Sequence, residues 1–280
     1  MACNLCKNKQ HKIIFTKNKY DIHKCQVCGF VFVHPLPELH ILEKYYKTSY
    51  EKGAYKLYAD AEDIRLKINE WRFAEIAPYL NNGNILDVGC GVGYFLNVAS
   101  KNNLSTYGTE FSEQAVKKAK ENHKNIYKGS LEEANFPDSF FDNVTIFDVI
   151  EHVMDPTGTM KEIGRIIKKG GILSLTTPDF SSWHAKVFGK QWGLIIPPEH
   201  ISYFSRITMK KILENNGFEI LTLQKNYKIF TWNYIFKHTQ TFFPRIYPLA
   251  RILLRCLPQG FLMKYRTFFV GEMFVVARKK

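Results

Sequence analysis

Between residues 84 and 177 the chain alternates short apolar runs with amphipathic stretches. Asn84–Val88, Ser105–Thr109, His123–Lys128, Phe141–Phe147 and Ile172–Thr176 have the length and apolar density of buried strands. Helical stretches separate them: one after Gly93 to about Lys101, one capped by Ser112 and running to about Asn122, and one opened by Asp155-Pro156 and closed by Gly170-Gly171. Strands and helices that alternate at this spacing form a parallel sheet with helices on both faces. Downstream, Thr208–Asn216 reads as a helix ended by Gly217, Phe218–Leu223 as a strand, and Phe268–Ala277 as a last strand. Upstream, His34-Pro35-Leu36-Pro37 reads as a linker. Leu39, Leu42 and Tyr46 then fit a short helix, and Ile64, Ile68, Trp71 and Ile76 mark the apolar side of a longer one within 60–80.

The turn after the first of these strands carries the chemistry. It reads Asp87-x-Gly89-x-Gly91-x-Gly93, and Glu110 ends the next strand 21 positions after Gly89. In open α/β sheets the ligand lies outside the carboxyl ends of the strands, where glycines let the backbone approach it. An acid at the end of the second strand can accept from both hydroxyls of a ribose. A dinucleotide fingerprint places its third glycine three positions after the second, where this chain has Tyr94. Asp87 would repel a pyrophosphate, but it can receive an ammonium group. S-adenosylmethionine has that ammonium and no phosphate.

Ile85 to Gly93, Tyr107-Gly108-Thr109-Glu110, Asp148-Val149-Ile150-Glu151-His152 and the strand after Gly170-Gly171 resemble class I S-adenosylmethionine-dependent methyltransferases, in particular the ubiquinone-biosynthesis branch. The resemblance implies a Rossmann-like seven-stranded α/β sheet of order 3-2-1-4-5-7-6 with its last strand antiparallel. It implies Asp87, Gly89, Gly91 and Gly93 around the amino-acid moiety of the donor, Glu110 on the ribose and Phe111 against the adenine. Ser130 and Leu131 would lie at the adenine edge, where the family often has an aspartate. Phe147 and Asp148 would line the same site.

Methyl transfer from a sulfonium depends mainly on placing the acceptor, and a base is needed only where the acceptor must lose a proton. Glu151 and His152 follow the fourth strand at the rim of the site. His200 and Tyr203 lie in Pro198–Ser205, a segment expected to cover the acceptor. Of these, His200 is the preferred base, with Tyr203 a further acceptor contact, and Cys90 is expected to pack.

The cysteines and the charge add two modules. Cys3, Cys6, Cys25 and Cys28 form two Cys-x-x-Cys pairs separated by 18 residues, the spacing of a tetrathiolate structural zinc site. Short strand-like segments between them suggest a zinc ribbon over 1–34. The net charge of +13 is concentrated at the two ends of the chain: 1–34 has six lysines against Asp21 alone, and 225–266 has eight basic residues and no acid. The expected organisation is a zinc ribbon (1–34), a helical linker (35–80), the donor-binding domain (81–224 and 267–280) and a basic, aromatic, helical insertion (225–266). Within the insertion, Pro248 could start a helix with Leu249, Ile252, Leu253, Cys256 and Leu257 on one face and Arg251 and Arg255 opposite. That pattern suits an anionic membrane surface or a cap on the pocket.

Without a signal-peptide pattern at Met1–Gln10 or a membrane-length apolar run, a cytoplasmic protein is expected, peripheral at the membrane if the insertion binds lipid. The expected function is methyl transfer to O or C of a small-molecule acceptor, a saccharide or lipid-linked intermediate. Two alternatives stand beside it: an RNA methyltransferase that clamps nucleic acid with the ribbon and the insertion, and a binding protein that retains the donor fold without turnover.

Overall fold

A computed structural model describes residues 2–38, 41–42, 62–236 and 257–280. The larger of its two sheets has seven strands: β4 (Asn84–Val88), β5 (Ser105–Glu110), β6 (Ile126–Lys128), β7 (Phe141–Phe147), β8 (Ile167–Pro178), β10 (Phe218–Thr231) and β11 (Tyr265–Lys279). Their spatial order is β6-β5-β4-β7-β8-β11-β10. β4 pairs in parallel with β5 and β7, and β7 with β8, whereas β11 runs antiparallel between β8 and β10. This is the 3-2-1-4-5-7-6 order that the resemblance implied. The order reverses beside β4, so the turn after β4 opens onto the crevice where such sheets bind ligands.

Helices α1 (Glu62–Ile76), α2 (Tyr94–Lys101), α3 (Glu113–Lys120), α4 (Pro156–Ile166) and α6 (Arg206–Asn215) accompany the sheet, and a short α5 (Trp183–Phe188) follows β8. The Ser112 hydroxyl caps α3 by accepting from the Ala115 amide. Two apolar cores result. One includes Leu86, Val144, Ile146, Ile163, Leu175 and Met209, and the other Ile76, Ile85, Leu96, Phe147 and Phe274.

Three sequence expectations change. The 62–76 helix is not a linker: Ile64, Ile68, Arg72 and Ile76 recur every fourth residue and bury one face of α1 in the domain, while Trp71 lies at its edge. Gly170-Gly171 does not end a helix. α4 stops at Ile166, and the glycines sit inside β8, where its register to β7 jumps from Phe141↔Ile167 to Asn143↔Ile172. Gly170 has φ 77°, and a Cβ on Gly171 would lie 2.8 Å from the Lys168 carbonyl oxygen. Finally, the insertion is shorter than 225–266, because β10 continues to Thr231 and β11 begins at Tyr265. The β-branched and aromatic residues Ile229, Phe230, Thr231, Thr267 and Phe268 favour a strand there. β8 pairs with β11 only from Arg278 to Glu272, so the outer half of the hairpin extends past it as a two-stranded arm. A short helix α7 (Gln259–Leu262) precedes β11. The helix expected from Pro248, and the one expected through Leu39 and Tyr46, lie outside the described residues.

The smaller sheet holds β1 (His11–Lys17), β2 (Tyr20–Cys25), β3 (Val31–Val33) and β9 (Ser202–Tyr203), in that order. β9 comes from the segment directly after His200. The N-terminal sheet is therefore completed by the segment expected to cover the acceptor.

Candidate active site

Asp87 lies in β4 with its carboxylate buried, and the Thr145 hydroxyl donates to it at 2.7 Å. Burial raises its pKa to about 7, against smaller opposing effects of Thr145 and the Arg72 charge. Gly89, Gly91 and Gly93 then turn the chain with φ of 73°, 55° and 88°. Each tolerates a side chain differently. A Cβ on Gly89 would meet the Val149 side chain at 2.5 Å, whereas one on Gly91 would meet nothing within 4 Å and project into the crevice. Cys90 tucks its thiol against Gly108 and is buried, and burial raises its pKa, so it packs as expected.

Glu110 reaches back from the end of β5. Its carboxylate accepts from the Gly91 amide at 2.9 Å and the Ser112 amide at 2.8 Å, which pins its orientation and leaves lone pairs for a ligand. Burial raises its pKa as well. Phe111, beside it, is 70% exposed, an aromatic face at the crevice with nothing to cover it. Ser130 is engaged in a local turn, where its amide donates to Glu133 and its hydroxyl accepts from the Glu133 amide. The Leu131 side chain belongs to the core, which leaves only its backbone to face a ligand.

Past β7, Asp148 has φ 56° and its amide donates to the Thr176 carbonyl. Its carboxylate is held by Arg72, by the Thr176 hydroxyl at 2.7 Å and by Lys228 at 2.9 Å. Burial alone would raise its pKa, but the two cations outweigh that and hold it well below the usual carboxylate range. Lys228 also pairs with Glu272 at 3.0 Å, and Asn226 donates to Glu272 at 2.6 Å. The Arg72 guanidinium covers the Phe147 ring at 4.8 Å. The sequence reading passed over Arg72, Lys228 and Glu272. Arg72 carried one legible signal, since it interrupts an every-fourth apolar stripe with a charge. Lys228 and Glu272 depend on β10 and β11 pairing, which local pattern does not reveal.

Glu151, His152 and His200, three of the residues expected on the acceptor side, come together. One carboxylate oxygen and two ring nitrogens from these residues lie within 4.8 Å of one another, close enough to share a proton network or to take up a divalent cation. His152 Nδ1 is 3.0 Å from the Glu199 carbonyl, and His200 Nδ1 is 2.8 Å from the Leu194 carbonyl. A carbonyl only accepts, so both rings carry hydrogen on Nδ1 and the lone pair on Nε2. Burial lowers the His152 pKa, with Glu199 opposing, and drives that of His200 to about 3 with help from the neighbouring His152 charge. Burial thus disfavours the charged form of both rings. Glu151 is buried, and burial followed by the Asp148 charge pushes its pKa well above the carboxylate range; the Thr177 hydroxyl donates to it at 2.9 Å. Tyr203 is buried in β9 and donates its hydroxyl to the His200 carbonyl at 2.8 Å, so it secures the His200 loop.

The four N-terminal cysteines converge. Cys3 and Cys28 sulfurs are 3.6 Å apart, as are those of Cys6 and Cys25, and all four lie within 4.8 Å of one another. A tetrahedron with metal–sulfur bonds of about 2.3 Å has edges of about 3.8 Å, so the donor set fits zinc. The module packs into the main domain: Phe30 contacts Phe204 at 5.1 Å, Asn4 donates its side-chain amide to the Met154 carbonyl in the loop after His152, and its own carbonyl accepts from the Thr157 hydroxyl in the first turn of α4.

Residues 61–223, more than half of the chain, match a family model described as a methyltransferase domain. A ubiquinone/menaquinone biosynthesis C-methyltransferase of Geotalea daltonii is 30% identical over 177 residues, spanning 58% of this chain and 74% of that protein. A ubiquinone biosynthesis O-methyltransferase of Coxiella burnetii is 25% identical over 57% of this chain and 71% of its own length. Relatives in Mycolicibacterium smegmatis and Mycobacterium tuberculosis, named as probable S-adenosylmethionine-dependent methyltransferases, are 25–27% identical, and the chain spans only 44–61% of their length. Among solved structures, an S-adenosylmethionine-dependent methyltransferase of Archaeoglobus fulgidus superposes with a TM-score of 0.53 at 18% identity, covering 84% of this chain and 99% of that one.

Proposed function

Because the chain belongs to the S-adenosylmethionine-dependent methyltransferase family, we propose that it transfers a methyl group to O or C of a small-molecule acceptor, a saccharide or a lipid-linked intermediate. The observation that carries this is the convergence of Asp87, Gly91 and Glu110 at one crevice, with the Glu151–His152–His200 group beyond them. S-adenosylmethionine supplies the methyl group on a sulfonium. Asp87 receives its ammonium, Glu110 its ribose hydroxyls, and the exposed ring of Phe111 stacks on its adenine. Arg72 and Lys228 hold Asp148 rigid at the wall of the pocket, so donor and acceptor meet on a fixed surface. For an acceptor that must lose a proton, His152 accepts it on Nε2, and His200 and Tyr203 position the covering loop. The four cysteines hold a structural zinc ion.

The relatives named for C- and O-methylation support an O or C acceptor. The test uses donor labelled in its methyl group, incubated with lipid extract, soluble glycans and RNA. Label is expected in the lipid or glycan fraction and is expected to disappear for Glu110→Ala. Label in RNA would establish the nucleic-acid alternative. Donor binding with no label transferred to any fraction would leave a binding protein. His152→Gln should abolish transfer to hydroxyl acceptors while leaving donor affinity intact. If added Mg²⁺ or Mn²⁺ stimulates wild type but not Glu151→Gln, the trio acts through a bound cation.

A further inference from the structure

Beside the pocket, α5 presents Trp183, Val187 and Phe188 outward, 54%, 69% and 50% exposed. Trp183 and Val187 are one turn apart and share a face. Large apolar side chains this exposed on adjacent positions form a patch rather than scattered surface residues. The patch continues onto the hairpin arm. His184 stacks against Trp183 at 3.7 Å and meets Phe269 at 5.2 Å; Phe269 in turn lies against Tyr227, which is 39% exposed. Lysines frame it: Lys186 and Lys190 on the α5 side are exposed, and the exposed Lys225 has its ammonium 5.1 Å from the Phe269 ring. None of the segments that build this end (180–198, 223–231 and 257–271) contains an aspartate or glutamate.

We infer that this face docks on an anionic phospholipid surface, with the α5 side chains entering the headgroup–acyl boundary and the lysines pairing with lipid phosphates. Apolar and aromatic groups at the centre, ammonium groups around them and no carboxylate in these three segments are the complement of an anionic bilayer; the Asp63 and Glu75 carboxylates of α1 meet the arm at Tyr265 and Gln224. Single-stranded nucleic acid would need free ring faces. Here Trp183 already has one face on His184, and the most exposed centre residue, Val187, is aliphatic. No helix among the described residues is long and apolar enough to cross a membrane. The inference extends the proposed function by letting a lipid-linked acceptor enter from the bilayer, but its test reads lipid binding alone, so either reading can fail without the other.

The experiment is flotation of the full chain with vesicles of phosphatidylcholine alone and of phosphatidylcholine mixed with phosphatidylglycerol, at low and moderate salt. Binding to the mixed vesicles, weak on the neutral ones, is expected. Lys186→Gln/Lys190→Gln/Lys225→Gln should weaken it by roughly a hundredfold. Trp183→Ser/Phe188→Ser should abolish salt-resistant binding while donor affinity stays at the wild-type value, which shows that the variant is folded. Absence of binding to mixed vesicles at low salt would overturn the inference. So would binding undiminished in both variants, or displacement from the vesicles by RNA at equal charge concentration.

Discussion

Asp87 shows how one side chain can serve binding at the expense of stability. Its carboxyl is buried with a pKa near 7, above its ordinary value, so between about pH 4 and pH 7 the folded protein holds a proton that the unfolded chain has released. This stabilisation is lost as pH rises through 7, where the ionised group must sit in the interior. Asp87→Asn keeps the shape and the Thr145 contact without the charge. It is expected to raise the melting temperature at pH 8, by roughly 2–4 °C per kcal/mol relieved, and to leave it nearly unchanged at pH 5. The same variant should lose affinity for the donor, and wild-type affinity should fall by at most about tenfold per unit as pH drops below 7, with no such dependence in Asp87→Asn. Calorimetric titration and thermal melts at the two pH values check both halves; a variant less stable than wild type at pH 8 would contradict the burial argument. The sequence made Asp87, the glycines and Glu110 legible because their roles are local: a strand, a turn and the next strand end. It did not reveal Arg72 or Lys228, whose role is to neutralise Asp148 from elements distant in the chain. It placed His200 in a covering segment, but the depth at which that ring lies is a tertiary fact.

The convergence of the four N-terminal cysteines was legible from their spacing, but the relation of their module to the pocket was not. β3 pairs with β9, the Val33 amide donates to the Ile201 carbonyl, and the Ile201 and Ser202 amides both donate to the Glu151 carbonyl. Three consecutive layers (β3, the 201–203 segment and the loop at Glu151) are thus joined by backbone hydrogen bonds, and Asn4 ties the first cysteine knuckle to the loop after His152. With the zinc proposed for its cysteines, a module of this size would draw much of its folding free energy from the metal. Cys25→Ser, or removal of the metal, is therefore expected to raise amide hydrogen exchange not only in 3–33 but also in 151–157 and 199–204, while the Asp87–Glu110 crevice stays protected. Exchange confined to the ribbon would show that the two are merely adjacent. The contact between Phe30 and Phe204 makes the same point energetically: Phe30→Ala should cost roughly 3–5 kcal/mol in denaturant unfolding, the range for a fully buried ring. The hairpin arm escaped local reading for the complementary reason. Its outer half mixes lysines with aromatics and lacks clean alternation, and it is a strand because β10 and β11 pair with each other.

At the level of the whole molecule, alternation of strands and helices indicated a parallel sheet with helices on both faces, whereas the strand order came from the resemblance. Architecture alone does not carry activity: a [4+2]-cyclase superposes on this chain with a TM-score of 0.52. What the charge pattern of this site adds is a buried acid in the first strand and an acid pinned by backbone amides at the end of the second. Charge is also partitioned across the molecule. Along the chain, the excess of +13 falls on 1–34 and 225–266 and not on 84–177, the stretch that carries Asp87 and Glu110. The most direct test is equilibrium titration of the purified chain with S-adenosylhomocysteine and, separately, with NAD. One S-adenosylhomocysteine per chain is expected, weakened roughly 10- to 100-fold in Glu110→Ala, with no competition from NAD. Absence of S-adenosylhomocysteine binding, binding indifferent to Glu110, or displacement by NAD would contradict the assignment of the crevice.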